Sequence, residues 1–116
     1  MTPEDFRRLA LDLPEAVELA HMGTPDFRVR GKIFASVSAG KAIATLKLQR
    51  GQQEMVCAAE PDLFSPVSGY WGDSGWTDLQ LERADAATVR SALAMAWRNV
   101  APKRLVAAME STGLRV

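Results

Sequence analysis

The chain has 116 residues, which suits one domain with its own buried core and is short for two domains. Apolar residues make up 47% and charged residues 24%, which excludes global disorder, and the single cysteine, Cys57, excludes an internal disulfide. The net charge is zero, but the stretch from 26 to 50 carries six basic residues and one acidic residue, or +5, so the remainder carries −5.

The first predicted element is an amphipathic helix. Thr2 is a favourable N-cap residue, Pro3 suits the first helical position, and Asp5 suits the positive end of the helix dipole. Apolar residues then recur with helical spacing at Phe6, Leu9, Ala10 and Leu13. Pro14 ends the pattern.

Between Ala16 and Leu48 the apolar period changes from 3.6 to two, which predicts strands joined by short turns. The predicted strands are Ala16–Met22, the segment around Phe27 and Val29, the segment with Ile33, Ala35 and Val37 on one face, and Ala42–Leu48. Gly23-Thr24-Pro25 and Ala39-Gly40-Lys41 are predicted turns. Short connections between successive strands favour an antiparallel meander.

The second half begins with a predicted short helix, Gln52–Glu60, whose inner side would carry Met55, Val56 and Ala59. The stretch from Asp62 to Ser74 is predicted to be a loop, and Trp76–Leu81 a last strand. Asp85 is predicted to cap a long helix with Trp97 on its apolar stripe. A second short helix follows Pro102, runs through Met109 and is closed by Gly113.

This order of elements groups the strands together instead of alternating them with long helices. It predicts one α+β domain over residues 1–116, with an antiparallel β-sheet packed against N-terminal and C-terminal helices.

Few residues suit catalysis. His21 is the only histidine, and Glu18 would point to the opposite face of its strand because the two are three residues apart. Cys57 has only apolar neighbours, whereas a reactive thiol needs a basic and partly exposed setting. We therefore predict no catalytic residues, no metal site, no cofactor and no enzymatic activity.

Three glycines recur at every third position, Gly69, Gly72 and Gly75, around an aromatic pair, Tyr70 and Trp71. The glycines precede a predicted strand, so the helix dipole that supports phosphate loops is missing from this motif. Two interpretations remain open. The segment is either a tight loop that needs glycine conformations or a loop that presents aromatic rings beside a ligand.

The basic stretch supplies the main functional hypothesis. Arg28 and Arg30 would share one face of a strand by the period of two, and Lys47 would project from a nearby strand. Guanidinium and ammonium groups bind phosphate oxygens, and a neighbouring aromatic ring can stack on a base. The candidate nucleic-acid or anion-binding residues are Arg28, Arg30, Lys32, Lys47, Trp71, Trp76, Arg98 and Lys103. A solvated basic hairpin and, for Arg98, simple placement near a helix C-terminus are the alternatives.

Several separate motifs resemble the MmcQ/YjbR family. The first half matches in Phe27-Arg28-Val29-Arg30-Gly31-Lys32-Ile33-Phe34-Ala35 and Leu46-Lys47-Leu48. The second half matches in Pro66–Gly69, Trp71-Gly72, Gly75-Trp76-Thr77, Ala96-Trp97 and Ala101-Pro102-Lys103-Arg104. The resemblance runs from about Phe6 to Leu105.

The resemblance implies a CyaY-like α+β fold and DNA binding by analogy with a double-wing arrangement. Frataxin-type iron binding is not carried over, because the first helix mixes Glu4, Asp5 and Asp12 with Arg7 and Arg8.

Together these observations predict a DNA-binding protein that uses a basic face of the sheet. The alternative is a module that binds a small anionic ligand or an acidic protein. The N-terminus lacks the pattern of a signal peptide, and no apolar run approaches the ~20 residues that span a bilayer. We expect a cytoplasmic bacterial protein without membrane contact, as a monomer or weak dimer.

Overall fold

The computed structural model describes residues 1–111, which form six strands and five α-helices. The strands are β1 (Val17–His21), β2 (Thr24–Val29), β3 (Lys32–Ser38), β4 (Ile43–Lys47), β5 (Phe64–Pro66) and β6 (Trp76–Gln80). The helices are α1 (Pro3–Leu11), α2 (Arg50–Ala59), α3 (Tyr70–Asp73), α4 (Ala86–Val100) and α5 (Lys103–Ser111), with one 3₁₀ turn at Leu81–Arg83. The predicted stop at Gly113 lies outside the described residues.

All six strands form one antiparallel sheet in the order β1-β2-β3-β4-β6-β5. The first four strands are a meander, as the short predicted turns indicate. The chain then leaves the sheet through α2 and returns so that β6 pairs with β4 and β5 lies at the edge. The predicted α+β class with an antiparallel sheet is confirmed.

Helices α1 and α4 cover one face of this sheet, and the opposite face, here called the open face, remains partly exposed. The core between the layers contains Phe6, Phe27, Leu46 and Trp97, which are fully buried. Each such side chain contributes roughly 1.5–3 kcal/mol. The Trp97 indole donates a 3.0 Å hydrogen bond to the Pro14 carbonyl and so ties α4 to the end of α1. The predicted core position of Trp97 is confirmed.

Side-chain caps begin the two helices whose starts the sequence marks. The Thr2 hydroxyl accepts a bond from the Asp5 amide, and the Asp5 carboxylate accepts one from the Thr2 amide, both at 3.1 Å. The Asp85 carboxylate accepts a 2.7 Å bond from the Thr88 amide at the start of α4. Each cap typically contributes about 1 kcal/mol, because it satisfies a helix N–H that lacks a partner within the helix.

A β-bulge changes the predicted faces of β3. Phe27 pairs with Ala35, but Arg28 pairs with Ile33, so Phe34 is an extra residue in β3. Phe34 and Ala35 are both buried, whereas Ile33 stands opposite Arg28 on the open face. The predicted apolar face of Ile33, Ala35 and Val37 is therefore wrong at its first member, because strict alternation cannot anticipate a bulge.

The segment predicted as the loop from Asp62 to Ser74 contains β5 and the four-residue helix α3. Both elements are too short to show a period. Strand β5 is held by pairing with β6, and the carbonyls of α3 accept bonds from side chains of α2. Leu81, predicted to end β6, begins the 3₁₀ turn instead.

The inner side of α2 also differs from the prediction. Met55 is 56% exposed and Ala59 is exposed, while Gln53 is buried beside the partly buried Val56 and Cys57. The helix begins at Arg50, two residues before the predicted start.

Candidate functional site

The open face is built from alternate residues of the strands, because directly opposed residues of an antiparallel pair share a face. Leu19 of β1, Asp26 of β2, Ser36 of β3 and Thr45 of β4 form one row across it, which continues to Asp78 of β6. Lys47 and Trp76 pair in the next row, at the end of the sheet nearest α2 and α3. The candidate cations can therefore be placed by register.

Arg28 lies on the open face but is committed to a carboxylate. Its guanidinium donates two hydrogen bonds, of 2.7 and 3.1 Å, to Asp26, whose side chain is 0% exposed. The His21 Nδ1 atom lies 2.8 Å from the same carboxylate. The hydrogen bonds from Arg28 keep the pKa of Asp26 below its ordinary value, although burial acts in the opposite direction. The positive charge of Arg28 is therefore largely balanced by the Asp26 carboxylate.

Arg30 and Lys32 do not join Arg28. Arg30 and Gly31 form the turn between β2 and β3, both with positive φ, at 51° and 82°. The Arg30 guanidinium binds the exposed carboxylate of Glu15, with the Nη2–Oε2 distance at 3.0 Å. Lys32 pairs with the buried Val29 and so lies on the helical side of the sheet. The prediction that Arg28 and Arg30 share a strand face is wrong, because the strand ends at Val29.

Lys47 has a different environment. Its ammonium lies 5.3 Å from the ring centroid of Trp76 and donates a 3.1 Å hydrogen bond to the Ser74 carbonyl. Among the described residues, no carboxylate lies within ion-pair distance of Lys47. Arg50 lies nearby, donating a 3.0 Å bond to the Asp73 carbonyl and approaching Glu54 at 3.7 Å.

Three aromatic rings continue from Trp76. Trp71 packs edge-to-face on Trp76 with ring centroids 6.5 Å apart, and Tyr70 packs edge-to-face on Trp71 at 5.6 Å. Tyr70 is 75% exposed and Trp71 is 59% exposed. We call the set of Lys47, Arg50, Tyr70, Trp71 and Trp76 the aromatic–cation cluster. It combines ring faces with positive charge at one end of the open face.

A buried amide holds the backbone beneath the cluster. The Gln53 side-chain nitrogen lies 3.0 Å from the Gly72 carbonyl, 3.1 Å from the Trp76 carbonyl and 3.2 Å from the Thr77 hydroxyl. Gly72 and Gly75 are buried, and a Cβ at either position would approach a backbone oxygen to within 2 Å. The two glycines are therefore required by close packing of the chain against Val67 and Leu48.

The remaining sequence candidates lie elsewhere. Arg98 belongs to α4, where its guanidinium approaches Glu110 of α5 at 3.8 Å, and Lys103 begins α5. Both therefore belong to the helical layer. Of the eight predicted residues, the structure brings together Lys47, Trp71 and Trp76.

Sequence reasoning missed Arg50 and Gln53 as parts of the site. In the sequence Arg50 is only one charge of the basic stretch, and Gln53 shares the helical face of Val56 and Cys57 by the spacings i, i+3 and i+4. That spacing was available in the sequence and would have placed Gln53 on the buried side of α2.

The candidate groups for catalysis take other roles. Glu18 faces the helical side, where it bonds Arg7 of α1, while His21 bonds Asp26 on the open face. The predicted opposition of Glu18 and His21 is confirmed. Cys57 is partly buried against the core, and burial raises the pKa of its thiol. No helix within residues 1–111 is long and apolar enough to cross a membrane.

Comparisons with known proteins agree with this fold. The sequence model of the YjbR family matches residues 11–99. The fold is similar to the crystal structure of the Deinococcus radiodurans protein DR2400, described as a DUF419 domain, with a TM-score of 0.75 and 20% sequence identity. The similarity covers 89% of this chain and 80% of the other. No curated protein matches the sequence significantly.

Proposed function

This chain belongs to the YjbR family, and from the charge and ring arrangement of its open face we propose that it binds DNA through the aromatic–cation cluster. The observation that carries the proposal is the position of Lys47. Its ammonium contacts the Trp76 ring and a backbone carbonyl, and Trp76 packs in turn on the exposed Trp71. A phosphate could bind this ammonium without first breaking an ion pair.

The proposed contact surface is narrower than the basic face predicted from sequence. Arg28 and Arg30 each have a carboxylate partner, so binding a phosphate would require an ion pair to open. Lys47 has no such partner among the described residues, and Arg50 has only a long contact of 3.7 Å with Glu54, between two exposed side chains, which is weak. Both charges lie at the end of the open face that carries the rings, where a base and its phosphate could be contacted together. We therefore assign the phosphate contacts to Lys47 and Arg50.

The alternative ligands, a small anion or an acidic protein, would use the same cations. The rings favour nucleic acid, because a small carboxylate or an acidic peptide offers no flat surface for Trp71 to stack on. Competition with a mononucleotide distinguishes a small-anion site from a nucleic-acid site. A polymer that binds through several contacts should be displaced by a mononucleotide only at large excess.

We also propose that the protein binds DNA without catalysing a reaction on it. A thiol whose pKa is raised is a poor nucleophile, and the lone histidine is bonded to a carboxylate that also binds Arg28. A bacterial cytoplasmic location and a monomeric or weakly dimeric state belong to the proposal as well. The monomeric or weakly dimeric state is supported because the proposed surface is complete within one chain.

Fluorescence anisotropy with labelled duplex and single-stranded DNA at low salt tests the proposal. We expect a Kd in the range of non-specific binding, about 10⁻⁶ to 10⁻⁴ M. Lys47→Gln and Arg50→Gln should each weaken binding roughly tenfold, since each removes a charged hydrogen-bond donor to phosphate.

Lys41→Gln is the matched control, because Lys41 is an exposed lysine in the turn before β4, at the opposite end of that strand from Lys47. It should leave the affinity within about twofold. Absence of binding to either DNA at about 100 μM protein would contradict the proposal, as would equal losses in Lys41→Gln and Lys47→Gln.

A further inference from the structure

The exposed rings form a group that differs from every other aromatic residue in the chain. The sequence contains four phenylalanines, three tryptophans and one tyrosine. All four phenylalanines and Trp97 are buried at 3% exposure or less. The other three, Tyr70, Trp71 and Trp76, are consecutive members of one edge-to-face series. Leaving the two most exposed rings in water costs free energy that stacking on a ligand would recover.

The backbone that carries these rings is fixed in place. Gly72 contacts the Val67 carbonyl so closely that a Cβ would lie 1.7 Å from that oxygen. The Ser74 hydroxyl donates a 2.9 Å bond to the Trp71 carbonyl, and the Gln53 amide bonds the carbonyl of Gly72. Because the rings are presented from an ordered backbone, little conformational entropy is lost when a flat ligand stacks on them.

Two cations lie at the same end of the open face as the rings. Lys47 lies over Trp76, and Arg50 reaches the carbonyl of Asp73 at the end of α3. A base on Trp71 would therefore place its own phosphate near two cations. A duplex would offer those cations its phosphates but keep its base faces stacked on one another.

We infer that the aromatic–cation cluster stacks unpaired bases, so that the domain prefers single-stranded nucleic acid to duplex. This inference rests on the proposed DNA binding and specifies its substrate class. Each stacked base typically changes affinity by between about 5-fold and 150-fold. Trp71 is the principal ring, with Tyr70 beside it, because both are accessible to a ligand.

The test compares one labelled 12-nucleotide single strand, chosen without self-complementarity, with the same sequence as a duplex. Anisotropy titrations at one low salt concentration use the intact chain and Trp71→Ala, Trp71→Phe and Leu19→Ala. Trp71→Phe keeps a ring. Leu19→Ala is the control, since Leu19 is 52% exposed on the open face at the distant edge strand β1. Thermal unfolding checks that each variant is folded.

We expect tighter binding of the single strand than of the duplex. Trp71→Ala should weaken single-strand binding by at least about fivefold and leave duplex binding within about twofold. Trp71→Phe should recover most of the loss, and Leu19→Ala should have no effect.

Equal or tighter binding of the duplex, unaffected by Trp71→Ala, would overturn the inference and leave the proposed DNA binding intact. Failure to bind either DNA would overturn both. Sedimentation that shows a dimer dispersed by Trp71→Ala would also overturn the inference, because the rings would then serve contact between two copies of the chain.

Discussion

Asp26 is a fully buried carboxylate on the side of the sheet that the helices leave open. Arg28, with 24% of its side chain exposed, and His21, with 51%, cover it and supply its hydrogen bonds. A buried charge is tolerated only when it is paired and hydrogen-bonded. This small network explains why one arginine of the basic stretch contributes little positive potential to the surface.

Removing the Asp26 charge should destabilise the fold. We expect Asp26→Asn to lower the free energy of unfolding at pH 7 by about 2–3 kcal/mol, because Arg28 would lose a charged acceptor in a largely buried position. Glu15→Gln, which breaks the exposed pair with Arg30, is the control and should cost much less, because water screens an exposed pair. Urea unfolding monitored by circular dichroism measures both.

The stability that the Asp26 charge contributes depends on pH. The pKa of Asp26 is lowered in the folded protein, so its stabilisation is fully present above the ordinary aspartate pKa of about 3.9 and is lost as the pH falls through the lowered value. The difference in unfolding free energy between the wild type and Asp26→Asn should therefore shrink only in that acidic range. A difference that disappeared between pH 7 and pH 5 would contradict this assignment.

Gln53 is a buried amide whose partners are all in the chain around the rings. Gln53→Ala should lower the free energy of unfolding by about 1–3 kcal/mol, because the carbonyls of Gly72 and Trp76 would each lose one of their hydrogen-bond donors. Gln80→Ala, at an exposed position of β6, is the matched control and should stay within about 0.5 kcal/mol. The tryptophan emission of the protein should also change in Gln53→Ala, and an unchanged emission spectrum with unchanged stability would contradict the assigned role.

Among the secondary-structure elements, the four residues of α3 adopt a helical conformation although their sequence has little helix propensity. Helix α3 lies between β5 and β6, and its buried Gly72 packs directly on the Val67 carbonyl. Such contact leaves no room for any side chain, so the glycine is required for packing. The short helix is stable because its surroundings hold it, not because of helix propensity.

Gly72→Ala tests this packing. The added Cβ would meet a backbone oxygen that cannot rotate away, so we expect a loss of at least about 2 kcal/mol and displacement of α3. Gly51→Ala is the matched control, because nothing lies within 4 Å of a Cβ at that position in α2. It should be neutral or stabilise by up to about 1 kcal/mol. Equal stability of the two variants, measured by thermal unfolding, would contradict the packing contact.

At the scale of the whole molecule, the balance of charge limits how DNA could be bound. The chain carries 14 basic and 14 acidic residues, and all three arginines of the basic stretch are in ion pairs, with Arg50 only in a long contact of 3.7 Å. Long-range attraction of a polyanion should therefore be weak, and affinity should come from the few cations of the aromatic–cation cluster.

The salt dependence of binding should reflect that small number. Two phosphate contacts, from Lys47 and Arg50, predict a slope of log K against log salt concentration of about −1.4 for single strands and about −1.8 for duplex. The double variant Lys47→Gln/Arg50→Gln should bring the slope close to zero. A slope steeper than about −4 in the wild type would instead indicate a wide basic surface that includes other cations.

Most of the fold was predictable because its elements carry local patterns. Each of these patterns involves residues that are close together in the chain. Examples are the capping residues Thr2 and Asp85, the alternation from Ala42 to Leu48 and the apolar stripe of Trp97. The family resemblance named from sequence is confirmed by the match over residues 11–99. Three features escaped prediction. The bulge at Phe34 and strand β5 depend on pairing with other strands, and α3 is held by side chains of α2.

From the amino-acid sequence alone the α+β fold with an antiparallel sheet could be predicted, and Lys47, Trp71 and Trp76 could be named as candidates. Only the tertiary structure decided which cations have carboxylate partners, because Glu15 meets Arg30 through folding and Asp26 is buried by its neighbours on the sheet. It also decided that Arg50 and Gln53 join the rings. Ion pairing and burial depend on distances between segments that are remote in the chain, and a local sequence pattern contains no such distances.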